Sequence, residues 1–186
     1  MTINESFIKW EPEIFSTYTK LKKYLDKIKP TLVGKPIKSI FVPLDEENIY
    51  KTTIANNNIL EPIKYAQIEW LIGPAIIKIG NHNFLIETFS GSYFEIALDK
   101  KIELINEDIR YHECSFIFSE NIIGHKITDI YPTKAKSIDD FGLDYIASDY
   151  ESEDMFKNLV IKLDNNYKLL ITVIHDFTMI LESKKR

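Results

Sequence analysis

The first apolar pattern in the chain has the period of an α-helix. Between Pro12 and Pro30, apolar side chains recur at intervals of about four and three residues and would share one helix face; they are Ile14, Tyr18, Leu21, Leu25 and Ile28. Glu11-Pro12-Glu13 is typical of a helix start, because proline tolerates the first turn and carboxylates suit the positive end of the helix dipole. Pro30 disfavours helical geometry in the residue before it. We therefore predict an amphipathic helix within an N-terminal segment of residues 1–33.

Two blocks of sequence follow the helix and then recur in the same order. The first has the form G-x-x-I-x-x-I and occurs at Gly34–Ile40 and again at Gly124–Ile130. The second begins at Ile77 and again at Ile161, and an ungapped alignment from there matches Leu85 with Leu169, Thr88 with Thr172, Tyr93 with Phe177 and Ile96 with Ile180. The order of the blocks predicts an internal duplication, with β-rich repeats at residues 34–118 and 119–186.

The second block of each repeat predicts three consecutive strands. Clusters of Gly, Asn, Asp and Ser separate runs rich in β-branched and aromatic residues; these runs are Ala75–Ile79, Phe84–Phe89 and Tyr93–Leu98, and then Leu159–Leu163, Lys168–Ile174 and Phe177–Leu181. Such short connections require antiparallel pairing. A further strand pair is predicted at Ile102–Ile105 and Tyr111–Phe118, which gives about ten strands in total. A short helix is also predicted near Pro62–Leu71.

These elements predict a mainly β (α+β) fold. Each meander of strands has an apolar face that it cannot cover alone, so packing the two repeats together would bury both faces. We expect a sandwich-like body with the N-terminal helix closing an edge or an end. An open continuous sheet with the helix across one side is the alternative.

Composition restricts the class of protein. The 186 residues are 45% hydrophobic and 27% charged, which is typical of a compact soluble unit. A single cysteine, Cys114, excludes an intrachain disulfide. The N-terminus lacks the charged and apolar regions of a signal peptide, and no apolar run approaches the ~20 residues of a membrane helix. We expect a cytoplasmic protein without a membrane partner, and the oligomeric state stays open.

Motifs that carry chemistry are absent from the sequence. It contains no phosphate-binding glycine loop, dinucleotide fingerprint, H-E-x-x-H helix or nucleophile elbow. The histidines do not have the spacing of zinc ligands; they are His82, His112, His125 and His175. We therefore predict no metal, no cofactor and no enzymatic activity.

Three local groups of residues remain as candidates for chemistry. His112 and Cys114 would share one face of a strand, as a thiolate nucleophile and its base require. His175-Asp176 falls at a predicted turn, and Asp139, Asp140 and Asp144 resemble calcium ligands only loosely. Each group also has an ordinary structural explanation. The alternative function that they support is small-molecule binding or hydrolysis at a site between the two repeats, with His112, Cys114 or His175 taking part.

Charge is concentrated in one segment, from Ser137 to Phe156. This segment carries −7 and contains no Lys or Arg, whereas the whole chain carries −5, so the remainder carries +2. Aromatic residues alternate with the acids, and such a surface can attract and anchor a basic protein. The candidate contact residues are Asp139, Asp140, Phe141, Asp144, Tyr145, Asp149, Tyr150, Glu151, Glu153 and Asp154. The alternative is a variable connection that its acids keep soluble.

The charge pattern favours a non-catalytic protein that binds another macromolecule. Immunity proteins, which neutralise toxins, combine small size with acidic charge in the same way, although this comparison rests on charge and size alone. Nucleic acid is not expected as a partner, because the sequence pI is about 5.4 and basic residues cluster only on the helix and at Lys184-Lys185-Arg186.

Overall fold

The computed structural model describes residues 8–45, 67–70, 73–89, 93–104, 109–115, 121–134, 156–174 and 177–184. Within these ranges the protein is mainly β, as the sequence predicts, with one helix, α1 (Tyr18–Leu32), and thirteen strands. The strands are β1 (Ile8–Lys9), β2 (Glu13–Phe15), β3 (Ile37–Asp45), β4 (Gln67–Trp70), β5 (Ala75–Ile79), β6 (His82–Phe89), β7 (Tyr93–Leu98), β8 (Glu103–Leu104), β9 (Ile109–Glu113), β10 (Ile127–Lys134), β11 (Phe156–Leu163), β12 (Tyr167–Ile174) and β13 (Phe177–Lys184).

Helix α1 is shifted towards the C-terminus relative to its predicted bounds. Thr17 caps it, since its side chain accepts a hydrogen bond from the Lys20 N–H. The predicted start at Glu11-Pro12-Glu13 is wrong, because Glu13–Phe15 pairs with β7 instead. Pro30 lies inside the last turn, where only one intrahelical hydrogen bond is lost, and the helix continues to Leu32. The buried face consists of Leu21, Tyr24, Leu25, Ile28 and Leu32.

The strands form two large antiparallel sheets and one small ribbon. The first sheet has the order β2-β7-β6-β5-β3-β9, the second has the order β10-β11-β12-β13-β4, and β1 pairs with β8. The run β3-β5-β6-β7 therefore has the same connectivity as β10-β11-β12-β13. Strand β6 contacts β12 and β13, and buried residues of both sheets and α1 form one apolar cluster. In the part of the chain that the structure describes, the strands thus form separate sheets around a shared core rather than one open continuous sheet.

Two predicted elements differ from the structure. The strands at Glu103–Leu104 and Ile109–Glu113 do not pair with each other, because β8 pairs with β1 and β9 pairs with β3. The helix predicted near Pro62–Leu71 is wrong at Gln67–Trp70, which is strand β4 at the edge of the second sheet. Pairing with β13 satisfies the backbone groups of β4 in an extended conformation. The rest of that predicted helix lies outside the described residues.

Strands β3 and β10 begin side by side, and their first hydrogen bonds are reciprocal. Pro36 and Lys126 form a bridge between them. Around it, each bond has a counterpart with the two segments exchanged: Gly34 N to Ile127 O (2.8 Å) and Gly124 N to Ile37 O (2.8 Å), then Ile127 N to Lys35 O (2.9 Å) and Ile37 N to His125 O (3.0 Å). Residues 34–37 and 124–127 are thus related by a local pseudo-two-fold axis.

Other features recur at corresponding positions of the two repeats. The β3–β5 and β10–β11 ladders each contain a register shift, after Ile37 and after Ile127. Lys78 lies over the Phe41 ring and Lys162 over the Tyr131 ring, at 4.9 and 5.6 Å from the ring centres. A duplicated chain would produce these correspondences, although the duplication itself stays a prediction.

The ungapped alignment of the repeats is wrong at their central strand. Two residues, Gly80-Asn81, connect β5 to β6, whereas three residues, 164–166, connect β11 to β12. The extra residue shifts β12 by one position relative to the alignment. In consequence Leu169 corresponds to the core residue Phe84 rather than to Leu85.

Candidate functional site

The predicted contact residues lie in the connection between β10 and β11. All ten lie between Asp139 and Asp154. They belong to residues 135–155, which are outside the described residues. The strands on either side are described: β10 and β11 are adjacent and antiparallel, and Lys134 pairs with Phe156. Antiparallel neighbours need a connection of only about two to five residues. The acidic segment is therefore a long insertion between paired strands, and long insertions often carry function.

The opposite end of β10 and β11 meets the corresponding end of the first sheet. The turn residues Gly80 and Asp164 donate backbone hydrogen bonds to Pro36 and Lys126, the two residues of the bridge. Asp99 donates its backbone N–H to Asn83 in the same region. We call this end the junction and define it as residues 33–38, 78–83, 98–101, 121–128 and 162–168.

The junction is a basic surface. It contains eight lysines and two aspartates, a net charge of +6 with neutral histidines, so the rest of the chain carries −11. The lysines are Lys35, Lys38, Lys78, Lys100, Lys101, Lys126, Lys162 and Lys168. Sequence reasoning missed this surface because the lysines are dispersed over five segments. Only the pairing of strands and the reciprocal bridge bring them to one end.

Lys35, His82 and Asp99 form a continuous chain of hydrogen bonds at the junction. Lys35 Nζ lies 2.8 Å from His82 Nε2, and His82 Nδ1 lies 2.6 Å from Asp99 Oδ2. An ammonium group can only donate, so Nε2 accepts from Lys35 and the Nδ1–H donates to Asp99. Asp99 is fixed in turn, because its Oδ1 accepts from the Asn83 N–H at 2.8 Å. These partners determine both the tautomer and the orientation of the imidazole.

The second repeat has a related but simpler pair at its own turn. His125 Nδ1 lies 2.9 Å from Asp164 Oδ1, and this hydrogen bond is the main reason that the pKa of Asp164 lies below its ordinary value. His125 occupies the position that corresponds to Lys35 across the pseudo-two-fold axis. Among the described residues, no lysine bonds to this imidazole. The two turns therefore hold different chemical groups.

The predicted pairing of a thiol with an imidazole does not have the geometry of a nucleophile. Cys114 is buried, and burial raises its pKa to about 11, so the thiol keeps its proton at neutral pH. Its Sγ lies 3.5 Å from the His112 backbone oxygen rather than from the ring. His112 Nε2 is buried without a hydrogen-bond partner in the described structure. His175 and Asp176 lie outside the described residues.

Sequence reasoning also missed a pair of carboxyl groups on the first sheet. Glu87 and Glu95 lie directly opposite each other in the β6–β7 ladder, and the side chains of Phe84 and Ile86 alternate with Glu87 and belong to the core. Burial, and then the charge of Glu95, raise the pKa of Glu87 to about 8. Burial likewise raises the pKa of Glu95. The register of the predicted hairpin, with its turn at residues 90–92, could have revealed this pair.

Residues outside the ladder hold the Glu87 carboxyl in place. It accepts hydrogen bonds from the Gly73 backbone N–H and the Trp10 indole N–H. Tyr111 belongs to the same group, since burial first and then Glu87 raise its pKa, and its hydroxyl donates to the Pro74 carbonyl at 2.8 Å. The carboxyl thus connects the N-terminal segment to the outer face of the first sheet.

Gly73 provides a direct test of this connection. Its φ is +70°, and a Cβ at this position would overlap Ile8 Cδ1 of β1. Gly73→Ala should therefore lower the free energy of unfolding by about 2–3 kcal/mol, from backbone strain and overlap together. Urea unfolding measures the change. Gly124→Ala is the control: its φ is +88° but it has no atom within 4 Å of the added Cβ, so strain alone should cost about 1 kcal/mol. Equal losses of unfolding free energy in the two variants would show that the contact of residue 73 with β1 does not contribute to stability.

Within the described residues, the fold is that of a mainly β antiparallel protein with one helix. The chain matches no family model, no curated protein and no solved structure. Within the described ranges, no helix has the length and apolar character needed to cross a membrane. The same residues contain no group of three His, Cys, Asp or Glu side chains that could hold a metal ion.

Proposed function

We propose that the protein is a non-catalytic, cytoplasmic protein that binds a basic protein partner through the acidic segment of residues 137–156. Neutralisation of a toxin, as immunity proteins perform it, is one function of this kind. The observation that carries the proposal is the separation of charge along β10 and β11. The acidic insertion connects the two strands at one end, and the junction, with its net charge of +6, lies at their other end.

Distance keeps the two charged regions electrostatically separate along these strands. Ile127, at the junction, and Lys134, beside the insertion, are seven residues apart on β10, which corresponds to ~23 Å in an extended strand. The Debye length at physiological ionic strength is only about 8 Å. The junction lysines therefore do not neutralise the base of the acidic segment. Three lysines, Lys134, Lys136 and Lys157, flank the segment, but its seven acids outnumber them. The remaining negative charge can attract a basic surface, and the aromatic side chains supply candidate anchors.

The alternative function is small-molecule binding or hydrolysis at a site between the two repeats, and hydrolysis has less support. Its proposed nucleophile, Cys114, is a buried and protonated thiol. The ring of His112 is not the group that contacts this thiol. The binding proposal requires neither residue.

Charge-matched variants test the proposal. The partner is first isolated with the purified protein from cells that express the chain, and the purified pair is then studied by surface plasmon resonance. Changing Asp139, Asp140, Asp144 and Asp149 to Asn should slow association by about tenfold or more at low salt, because long-range attraction is lost. The control changes four exposed acids elsewhere to Gln, namely Glu11, Glu13, Glu103 and Glu113, and alters the net charge by the same amount.

The control should slow association by less than about threefold, because its charges lie outside the contact. Equal slowing in both variants would mean that net charge alone governs binding, and no slowing in the first variant would remove the acidic segment from the contact.

A further inference from the structure

The chain of Lys35, His82 and Asp99 has the arrangement of an activated nucleophile. Such sites contain a nucleophile within hydrogen-bond reach of a base, and a third group that orients the base. Here these are the Lys35 amine, the His82 imidazole and the Asp99 carboxylate. We propose that Lys35 is an acylation site that accepts the acyl group of an acyl phosphate, with His82 as the proton acceptor and Asp99 as the positioning residue. The proposal is independent of the acidic segment and of any partner that it binds.

The geometry of both hydrogen bonds is set by the backbone. The stem of Lys35 lies against the β5–β6 turn, since a Cβ built on Gly80 would be 3.0 Å from Lys35 Cδ and 3.2 Å from its Cβ. His82 is the first residue of β6, directly after this turn. Asp99 receives the Asn83 N–H and donates its own backbone N–H to Asn83 O at 2.9 Å. The β5–β6 hairpin therefore supplies the base and contacts the residues that carry the amine and the carboxylate.

The reaction requires an unprotonated amine, which is rare for an ordinary lysine. At pH 7.4 only about 0.1% of such amines are neutral, on a reference pKa near 10.4. His82 Nε2 can take the proton directly along the existing 2.8 Å hydrogen bond, and Asp99 then faces the imidazolium through Nδ1–H. The ion pair that forms lowers the cost of the proton transfer. The hydrogen bond thus gives the Lys35 proton an acceptor inside the site.

The acyl transfer itself balances with the groups named. The lone pair of Lys35 Nζ attacks the acyl carbon, and an amide bond forms there. The bond from that carbon to the phosphate oxygen breaks, and inorganic phosphate leaves with the electron pair. The proton held by His82 passes to the departing phosphate. The attacking nitrogen loses a second proton as the amide forms, and this proton passes through His82 Nε2 to the same phosphate, which leaves as dihydrogen phosphate. The product is an acylated Lys35 with a neutral His82, so each chain is modified once and does not turn over.

The charge of the junction selects an anionic donor. The net charge of +6 in this region raises the local concentration of anions, and exposed lysines near the site can contact a phosphate group. Lys38 is one of these, with its Nζ 3.3 Å from Asn81 Oδ1 in the same turn. A neutral acyl donor gains nothing from this field. An acyl phosphate combines the reactive acyl carbon with the negative charge.

Acetyl phosphate is the probe. The purified full chain is incubated with it at pH 7.5, and acetylation of each lysine is quantified by peptide mass spectrometry. We expect Lys35 to be acetylated about tenfold faster than Lys38 and Lys126, which are more exposed and belong to the same junction. With the neutral N-hydroxysuccinimide ester of acetic acid as donor, the excess at Lys35 should be smaller, because the junction does not concentrate it.

The variants distinguish the effect of the His82 base on the acetylation rate from the effect of the positive charge of the junction. His82→Gln should abolish the excess at Lys35, and Asp99→Asn should reduce it. His125→Gln removes the matched imidazole of the second repeat and should leave the excess unchanged. The proposal is overturned if Lys35 in the protein without substitutions reacts no faster than Lys38 and Lys126. This comparison does not depend on the folding of any variant. It is also overturned if the excess persists in a folded His82→Gln protein.

Discussion

Glu87→Gln should remove most of the pH dependence of stability between pH 5 and pH 8.5. The pKa of Glu87 is raised to about 8 in the folded protein, from an ordinary value of 4.5. Between these two values the folded state keeps a proton that the unfolded chain loses, so the free energy of unfolding falls as the pH rises. The expected loss is on the order of 3–5 kcal/mol across this range, for a carboxyl that is largely buried.

The glutamine variant should be more stable than the original protein at pH 8.5 and similar to it near pH 5. Its side-chain oxygen can still accept from Trp10 and Gly73, and its amide can donate to Glu95, so the repulsion disappears while the contacts remain. Urea unfolding at a series of pH values measures this effect. Glu113→Gln, an exposed change on β9 at the edge of the same sheet, is the control and should parallel the original protein. Parallel curves for the original protein and Glu87→Gln would show that another group carries the pH dependence.

Ile96→Ala and Ile180→Ala should each lower the free energy of unfolding by about 3–4 kcal/mol. The two side chains are fully buried, at corresponding positions of β7 and β13, and belong to one apolar cluster. Because the sheets share this core, each variant should unfold in a single transition with an unchanged dependence on urea. Ile14→Ala is the control, since Ile14 is 61% exposed and its truncation should cost less than about 0.5 kcal/mol.

Two transitions in either variant would contradict the shared core. They would indicate that one sheet unfolds while the other remains folded. Circular dichroism and Trp fluorescence, followed together, would separate the steps.

The elements that sequence predicts best are those with local signals. The strands of both meanders are close to their predicted positions, because alternating apolar runs and turn residues lie next to each other in the chain. The start of α1 is wrong because Glu13–Phe15 gains its hydrogen bonds from β7, a strand about 80 positions away. The helix prediction at β4 is wrong for the same reason, since the partner that makes this segment a strand, β13, lies more than 100 positions later. Long-range pairing overrides local preference in both cases.

The polar sites show the same limit more strongly. Nothing near Lys35 in the sequence indicates His82 or Asp99, because 47 positions separate Lys35 from His82 and 17 separate His82 from Asp99. The acidic segment, by contrast, is contiguous in the sequence, so the sequence alone indicates it. Charge that is local in sequence is therefore predictable, whereas charge that the fold gathers, as at the junction, becomes visible only in three dimensions.

The reciprocal bonds around Pro36 and Lys126 are those of an isologous contact, the type that two identical subunits make. Two separate chains with this contact would carry the same residue on both sides of the axis. Within a single chain that constraint does not apply, so the two sides can carry different residues. Here one side carries the amine of Lys35 and the other the imidazole of His125. The single chain thus combines the reciprocal hydrogen bonds of a symmetric contact with a chemically different residue on each side.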